Sequence, residues 1–372
     1  MPARGHMQSK NTVQKVIGRF TNLFTYPLTT SHYTELMNPL WASHAIKARV
    51  EKVWDETKDA RTITLRPNSA WRSGRAGQHV RIGLSIDGRA YHRTYTISSA
   101  PEREDGCFTI TVKILEGGRL SRHLVRNLKI GDYVSVGLPQ GDFYLPDSGA
   151  LKILFITAGS GVTPARSMLQ SMLQQERFLD TLHIHYAPHE FDAIFGKELT
   201  ALPAKFPQYR YEPVYTRKLG NASRKKFHFS AAQLSKLCPD WREREVYACG
   251  PQDLLAAVKA HFAKAKLSQR LHFEEFRAPI AAIPRTAKGG TVKFSASQKE
   301  AKADGATSLL RVAEDAGLNP PHGCRMGICH TCDTTLVSGC VRDLRTGDII
   351  NEPGAKIQTC VTAAQGKCEI DQ

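Results

Sequence analysis

Three cysteines stand in one short loop, Cys324-Arg-Met-Gly-Ile-Cys329-His-Thr-Cys332, and a fourth, Cys360, follows far downstream. Gaps of four and two residues, then a long one, let a single tight loop present three thiolates to one side of a metal centre while a distant segment closes the other. This is the spacing that holds a [2Fe–2S] cluster. Zinc also takes four thiolates, but its structural sites usually pair two separate Cys-x-x-Cys knuckles. Here Gly323 and Gly327 flank the ligands, so backbone amides can approach bridging sulfides without Cβ obstruction. The cluster is the reading adopted, and with it a chain that moves single electrons.

Ahead of the loop, Thr307 to Ala316 reads as a short helix, with Thr and Ser at its start and Gly317 past its end. Asn319-Pro-Pro321 then turns the chain into the cluster loop. Helix, proline turn, cluster loop and late fourth cysteine together resemble a plant-type ferredoxin of the β-grasp (α+β) fold over about residues 290–372.

The chain has 372 residues, too many for one ordinary core, which predicts a multidomain protein. Four of the nine cysteines are assigned to the cluster. The odd, scattered remainder does not read as a disulfide framework, and iron–sulfur chemistry fits a reducing compartment, so cytoplasm is expected. No stretch approaches a membrane span and the N-terminus lacks a signal pattern. The net charge of +16 is lopsided, because the last 82 residues are near neutral and the excess cations precede them. With no zinc finger, RNA-binding aromatic motif or long Lys/Arg run, nucleic acid is set aside as a partner.

Residues 1–45 form an N-terminal arm in which Val13, Val16, Ile17, Phe20, Leu23 and Phe24 recur at helical spacing. An amphipathic segment of this kind suits the protein's own surface, or peripheral contact with a membrane or a membrane-bound partner. Residues 46–148 read as short alternating strands punctuated by glycine turns, predicting an antiparallel β-barrel. Over 149–276 the rhythm becomes strand then helix, predicting an α/β domain with a parallel sheet. A linker follows at 277–290, then the ferredoxin-like domain at 291–372.

In the barrel, Arg93-Thr-Tyr-Thr-Ile-Ser-Ser99 puts Arg93 and Tyr95 on one face of a strand. A guanidinium suits a phosphate and an aromatic ring suits a flat heterocycle, which makes a plausible flavin cradle. Lys113 and Gly117-Gly-Arg-Leu-Ser121 add a cation and a glycine-rich turn opening a helix, predicted over Ser121 to Asn127, whose first amides can hold a pyrophosphate. Thr157-Ala-Gly159-Ser-Gly161-Val-Thr-Pro164 then joins a strand to a helix. Its glycines let the backbone approach a dinucleotide, and Pro164 suits the first helical position. Cys249-Gly250-Pro251 makes a second such turn.

The order of these motifs resembles the ferredoxin–NADP reductase superfamily over about residues 46–276. The resemblance implies FAD held by Arg93, Tyr95, Thr96, Ser98, Lys113, Gly118 and Ser121, with Thr96 near the flavin N5. It implies a nicotinamide site at Gly159, Gly161, Thr163, Cys249, Gly250 and Pro251, with Thr163 and Cys249 beside the ring. Glu274 and Phe276, in the His272-Phe-Glu-Glu-Phe276 ending, become candidates beside the flavin. Thr216 and Arg217, followed by Arg224-Lys-Lys226, stand where NADPH-using members bind the 2′-phosphate.

A nicotinamide gives up two electrons as hydride whereas a [2Fe–2S] centre takes one, so a flavin must stand between them. The expected function is an NADPH-dependent flavo-iron–sulfur reductase. Fused chains of this kind resemble the partners of oxygen-activating enzymes. The arm and the segment 239–251 look most like the partners of bacterial membrane-bound fatty-acid desaturases. A soluble Rieske-type oxygenase or hybrid-cluster protein as acceptor, and a redox sensor without throughput, are the alternatives.

Overall fold

The computed structural model describes residues 37–42, 45–146, 152–177, 179–217, 229–276, 288–323, 325, 327 and 330–372. The predicted arm helix, the Arg224–Lys226 cations, most of the linker, and Cys324 and Cys329 lie outside the described residues.

Six antiparallel strands form the first unit: β1 (Lys47–Thr57), β2 (Ala60–Pro67), β3 (His79–Ile86), β4 (Arg89–Thr96), β5 (Phe108–Lys113) and β6 (Tyr133–Val136), ordered β4-β3-β6-β1-β2-β5. A bridge between Ile97 and Ile110 brings the end of β4 onto β5 and closes the strands on themselves. Closure removes the exposed edges that an open sheet would carry. Alternate residues such as Val50, Ile63, Leu65, Val80, Ile82 and Ile110 fill the interior. Helix α1 (Arg119–Arg126) plugs it with Leu120, Leu124 and Val125.

The second unit is a parallel sheet of β7 (Lys152–Ala158), β8 (Asp180–Ala187), β9 (Tyr209–Tyr215), β10 (Glu245–Cys249) and β11 (Leu271–Glu274), ordered β11-β10-β7-β8-β9. Helices α2 (Val162–Gln174), α3 (Gly196–Ala201), α4 (Ala231–Leu237) and α5 (Gln252–Lys264) connect the strands. Parallel strands need such crossovers, which bury the sheet on both sides. One core holds Phe155, Met168 and Tyr247, the other Ile156, Trp241 and Phe262.

Helix α2 begins at Val162, after a 3-10 turn at Gly159–Gly161, so Pro164 is its third residue and not its first. The proline is tolerated there because no amide of the first turn has an intrahelical acceptor. Helix α1 likewise begins two residues earlier than its predicted start.

Segment 239–251, which suggested a desaturase partner, is anchored in the core by Trp241 and Arg244. Trp241 is fully buried, and the Arg244 guanidinium grips Asp240 (Nε–Oδ1 2.9 Å, Nη2–Oδ2 2.9 Å) and Asp180 (Nη1–Oδ1 2.9 Å) while donating to the Ile153 carbonyl. Arg244 holds the Asp240 carboxyl well below the usual carboxylate range, against an opposing effect of burial. A depressed carboxylate contributes stability that is complete above about pH 4 and is lost as pH falls through the folded value. Asp240→Ala should therefore cost about 2 kcal/mol at neutral pH by urea unfolding, with the gap to wild type narrowing in acid. An unchanged midpoint would mean that Asp180 alone holds the guanidinium.

The third unit has β12 (Gly290–Phe294), β13 (Lys299–Ala303), α6 (Leu309–Asp315), β14 (Asp333–Asp343), β15 (Ile349–Ile350), β16 (Lys356–Gln358) and β17 (Thr362–Ile370). Terminal strand β17 runs parallel to β12 and antiparallel to β14, with α6 packed across the sheet, as the β-grasp expectation requires. Ser308 caps α6 by accepting from the Arg311 amide.

Candidate functional site

The carboxyl ends of β7, β10 and β11 meet the end of barrel strand β4. Cys249, the last residue of β10, lies in register between Thr157 and Glu274. Burial, and secondarily the Glu274 carboxylate, push its thiol well up, so it is neutral. His79 Nδ1 of the barrel lies 3.1 Å from Glu274 Oε1 and in register with Thr96. Glu274 Oε2 and Thr96 Oγ1 are buried without a hydrogen-bond partner. Buried polar atoms are rarely left unsatisfied, and two converging from different units fit the polar edge of a bound flavin.

Beside them runs the turn Gly159–Gly161. Gly159 has φ +54°, and a Cβ on Gly161 would sit 2.2 Å from the Cys249 carbonyl oxygen. Thr163 is buried and its hydroxyl donates to the Ser160 carbonyl at 2.9 Å, which stiffens the turn. Gly250 is crowded by Ala158 and Leu254, and Pro251 is the residue preceding α5. The Gly-x-Gly turn and the Cys-Gly-Pro turn therefore pack directly on one another.

Farther along the barrel, Arg93 and Tyr95 share a face of β4. Burial pushes the Tyr95 phenol up against the pull of Arg93. Gly118 precedes α1 with no side-chain cap over the first amides, and a Cβ there would meet Ser121 Oγ at 2.6 Å. An uncapped N-terminus beside a glycine turn fits a pyrophosphate. Arg119, which the sequence reading passed over, stands at the same end and donates to Tyr91 Oη at 3.1 Å.

Three expected flavin contacts have other partners. Ser121 Oγ accepts from the Leu115 amide at 3.1 Å, so it shapes the loop. Lys113 Nζ is bound to Asp59 Oδ1 at 2.6 Å. Ser98 Oγ is buried between Thr109 and Thr111, each 2.9 Å away, while its carbonyl accepts from Arg166 of α2. Thr216 and Arg217 follow β9, their amides bonded to the Ala187 and Pro188 carbonyls, with the Arg217 side chain exposed. They lie together at the sheet edge, and the cations expected beyond them are outside the described residues.

In the third unit Cys332 and Cys360 are buried with Leu310 and Val361, their sulfurs 3.2 Å apart. That is well beyond a disulfide's ~2.05 Å. The adjacent Cys360 sulfur draws the Cys332 thiol down, toward the thiolate a metal requires. Two thiols so placed, with Gly327 close against Val361 beside Cys360, fit an iron–sulfur cluster. The loop is braced by Arg325, which pairs with buried Glu314 and donates to His322 Nε2 at 2.8 Å. Burial, and then Arg81, His322, Arg93 and Arg325, hold the His92 imidazole down.

Residues 47–144 match the oxidoreductase FAD-binding domain family, 155–260 the oxidoreductase NAD-binding domain family and 293–365 the 2Fe-2S iron-sulfur cluster binding domain family. An NADPH oxidoreductase of Mycobacterium tuberculosis is 41% identical over 97% of this chain and 92% of its own length. A glycine betaine monooxygenase reductase subunit of Chromohalobacter salexigens is 30% identical over 92% of this chain and 100% of its own. The structure of phthalate dioxygenase reductase, an assembly for electron transfer from pyridine nucleotides to [2Fe–2S], superposes with a TM-score of 0.66 at 22% identity, covering 90% of this chain and 99% of that one. The chain belongs to the family of flavin-dependent NAD(P)H oxidoreductases with a fused [2Fe–2S] domain. Its cofactors are FAD, a nicotinamide nucleotide and a [2Fe–2S] cluster.

Proposed function

We propose that this reductase draws electrons from NADPH and delivers them from its cluster to a protein acceptor, the terminal component of an oxygenase. The convergence of Thr96, Glu274 and Cys249 where the barrel meets the parallel sheet carries the reading. It is supported by relatives of matching length that serve monooxygenases. A fatty-acid desaturase at the membrane is the narrower version, and it rests on the N-terminal arm, outside the described residues. Among the described residues no helix is long and apolar enough to cross a membrane. The domain limits proposed are 46–148, 149–276 and 291–372.

When bound, FAD would supply the conversion between two-electron hydride chemistry and single-electron transfer. The chain's part is placement. Arg93 and the first amides of α1 hold phosphate, and Tyr95 covers the ring system. Thr96 and Glu274 Oε2 meet its polar edge, with His79 fixing Glu274 from the far side. Gly159, Gly161 and Thr163 seat the nucleotide. Cys249, a neutral thiol, acts through its shape beside the nicotinamide and not as a nucleophile. Cys324, Cys329, Cys332 and Cys360 are the cluster ligands.

Thr216 and Arg217 are proposed to bind the 2′-phosphate, since an arginine fork can make two charge-assisted bonds to it. Losing one such partner costs about 1.5–3 kcal/mol. Arg217→Ala should raise the Michaelis constant for NADPH roughly ten- to a hundredfold and leave NADH nearly unchanged. Equal losses with both nucleotides would refute the assignment. For the acceptor, deleting residues 1–40 should spare cytochrome c reduction, and it should weaken coupling to the natural acceptor if the arm docks there. Capture of the acceptor by the reduced protein at low salt tests the oxygenase reading, and recovery of a desaturase would replace it with the narrower version.

A further inference from the structure

Opposite the Arg325–Glu314 brace, a second arginine reaches the same loop from a different part of the chain. Arg345 follows the end of β14, and its guanidinium is held by Asp343 through two bonds, Nε–Oδ1 at 3.1 Å and Nη2–Oδ2 at 2.7 Å. The Arg345 amide also donates to Asp343 Oδ1 at 2.7 Å. With one edge pinned in this way, the remaining nitrogen, Nη1, donates to the Gly327 carbonyl at 3.0 Å. Gly327 is midway between Cys324 and Cys329.

The approach is close. Gly327 has φ +71°, and a Cβ there would sit 2.7 Å from Arg345 Nη1 and 2.9 Å from Val361 Cγ2. Val361 directly follows Cys360, and its carbonyl accepts from the Leu344 amide at 2.7 Å. The segment 343–345 therefore grips both sides of the cluster site, the three-cysteine loop through Gly327 and the fourth ligand through Val361. The Cys360 and Cys332 sulfurs are near enough to help raise the Arg345 guanidinium, whose own partner Asp343 has the larger effect. Asp343 is 13% exposed and Arg345 30%, so neither charge is fully screened.

We propose that Arg345 is a positioning residue for the cluster, fixing the ligand loop through Gly327 and setting how readily the cluster accepts an electron. The inference rests on the cluster assignment. In the transfer one electron leaves the reduced flavin and one arrives on the cluster, adding a single negative charge beside the guanidinium. A nearby cation favours that charge, and outer hydrogen bonds and net charge are the protein's means of tuning such centres. Asp343 behind the arginine offsets part of the effect. The two residues are therefore expected to act with opposite sign, which mere scaffolding would not produce.

The test is a reductive titration of the full-length holoprotein, with the cluster followed by its electron paramagnetic resonance signal and the flavin by its absorption. Iron content, read separately at two per chain, reports whether the cluster assignment itself holds. In Arg345→Met the reduction equilibrium of the cluster should move about tenfold toward the oxidised form. In Asp343→Asn it should move toward the reduced form, and Arg345→Lys, which keeps the charge, should recover most of the loss. The flavin midpoint should stay put in all three. Cluster midpoints unchanged in Arg345→Met and Asp343→Asn, or shifted in the same direction, would overturn the proposal. If Arg345→Met fails to assemble a cluster, the sign of the Asp343→Asn shift decides.

Discussion

Cys332→Ala should abolish the iron–sulfur absorption and all electron delivery through the cluster, while reduction of the flavin by NADPH continues. Cys332 and Cys360 are 2% and 9% exposed and packed against Leu310 and Val361, so a solvent ligand replacing the missing thiolate would have to enter a buried, apolar site. The proposed flavin and nicotinamide residues belong to the barrel and the parallel sheet, which is why their chemistry should survive. Cys368 provides the control. It is buried on β17 within the sheet core of the same unit, and Cys368→Ala should leave the cluster in place. Two irons per chain in Cys332→Ala would remove that residue from the ligand set.

Gly161→Ala is expected to lower the rate of flavin reduction by NADPH on the order of a hundredfold or more. The added Cβ would lie 2.2 Å from the Cys249 oxygen, 2.5 Å from its carbonyl carbon and 2.8 Å from the Gly250 nitrogen. These are backbone atoms at the end of a central strand, and no rotamer change relieves the clash. Either turn must move, and a misplacement of about 1 Å in a reacting pair costs on the order of 10²-fold. The residue itself has ordinary helical angles, φ −64° and ψ −4°, so the effect comes from proximity and not from backbone strain. Stopped-flow reduction of the variant checks this, and a native rate would mean that the two turns do not set the hydride distance.

The elements were largely legible because periodicity and turn residues are local signals. The strands around Arg93, Thr109 and Glu245, and the glycine turns at Gly118, Gly159 and Gly250, could be placed from a dozen neighbours each. What escaped depends on distant partners. Lys113 stood as a candidate flavin contact, yet Asp59, 54 residues earlier, takes up its charge, and the resemblance placed Ser98 at the flavin, whereas Thr109 and Thr111 close over its hydroxyl. His79 carries no motif at all, since its carboxylate partner Glu274 lies 195 residues away. Arg345 and Gly327 are 18 residues apart in a stretch whose spacing advertises only cysteines. The likeness of segment 239–251 to desaturase partners shows the same limit, because Trp241 and Arg244 within it are used by the core and the Arg244 partners Asp180 and Ile153 lie far away in sequence.

Helix α2 starts at the nicotinamide turn and then leans on the barrel. Arg166 donates to the Ser98 carbonyl at 2.7 Å, Ser167 to the Ser99 carbonyl at 2.7 Å, and Ser171 to Glu102 at 2.7 Å, while the Gly77 amide donates back to Ser167 at 3.2 Å. One rod thus carries the proposed seat of the hydride donor at its tip and is fastened along its length to the barrel. These four bonds set the position of the Gly159–Gly161 turn relative to the barrel. On the proposed function the nucleotide's seat and the barrel are one fastened piece, so viscosity, which slows hinged enzymes, should have little hold on the reduction of the flavin by NADPH.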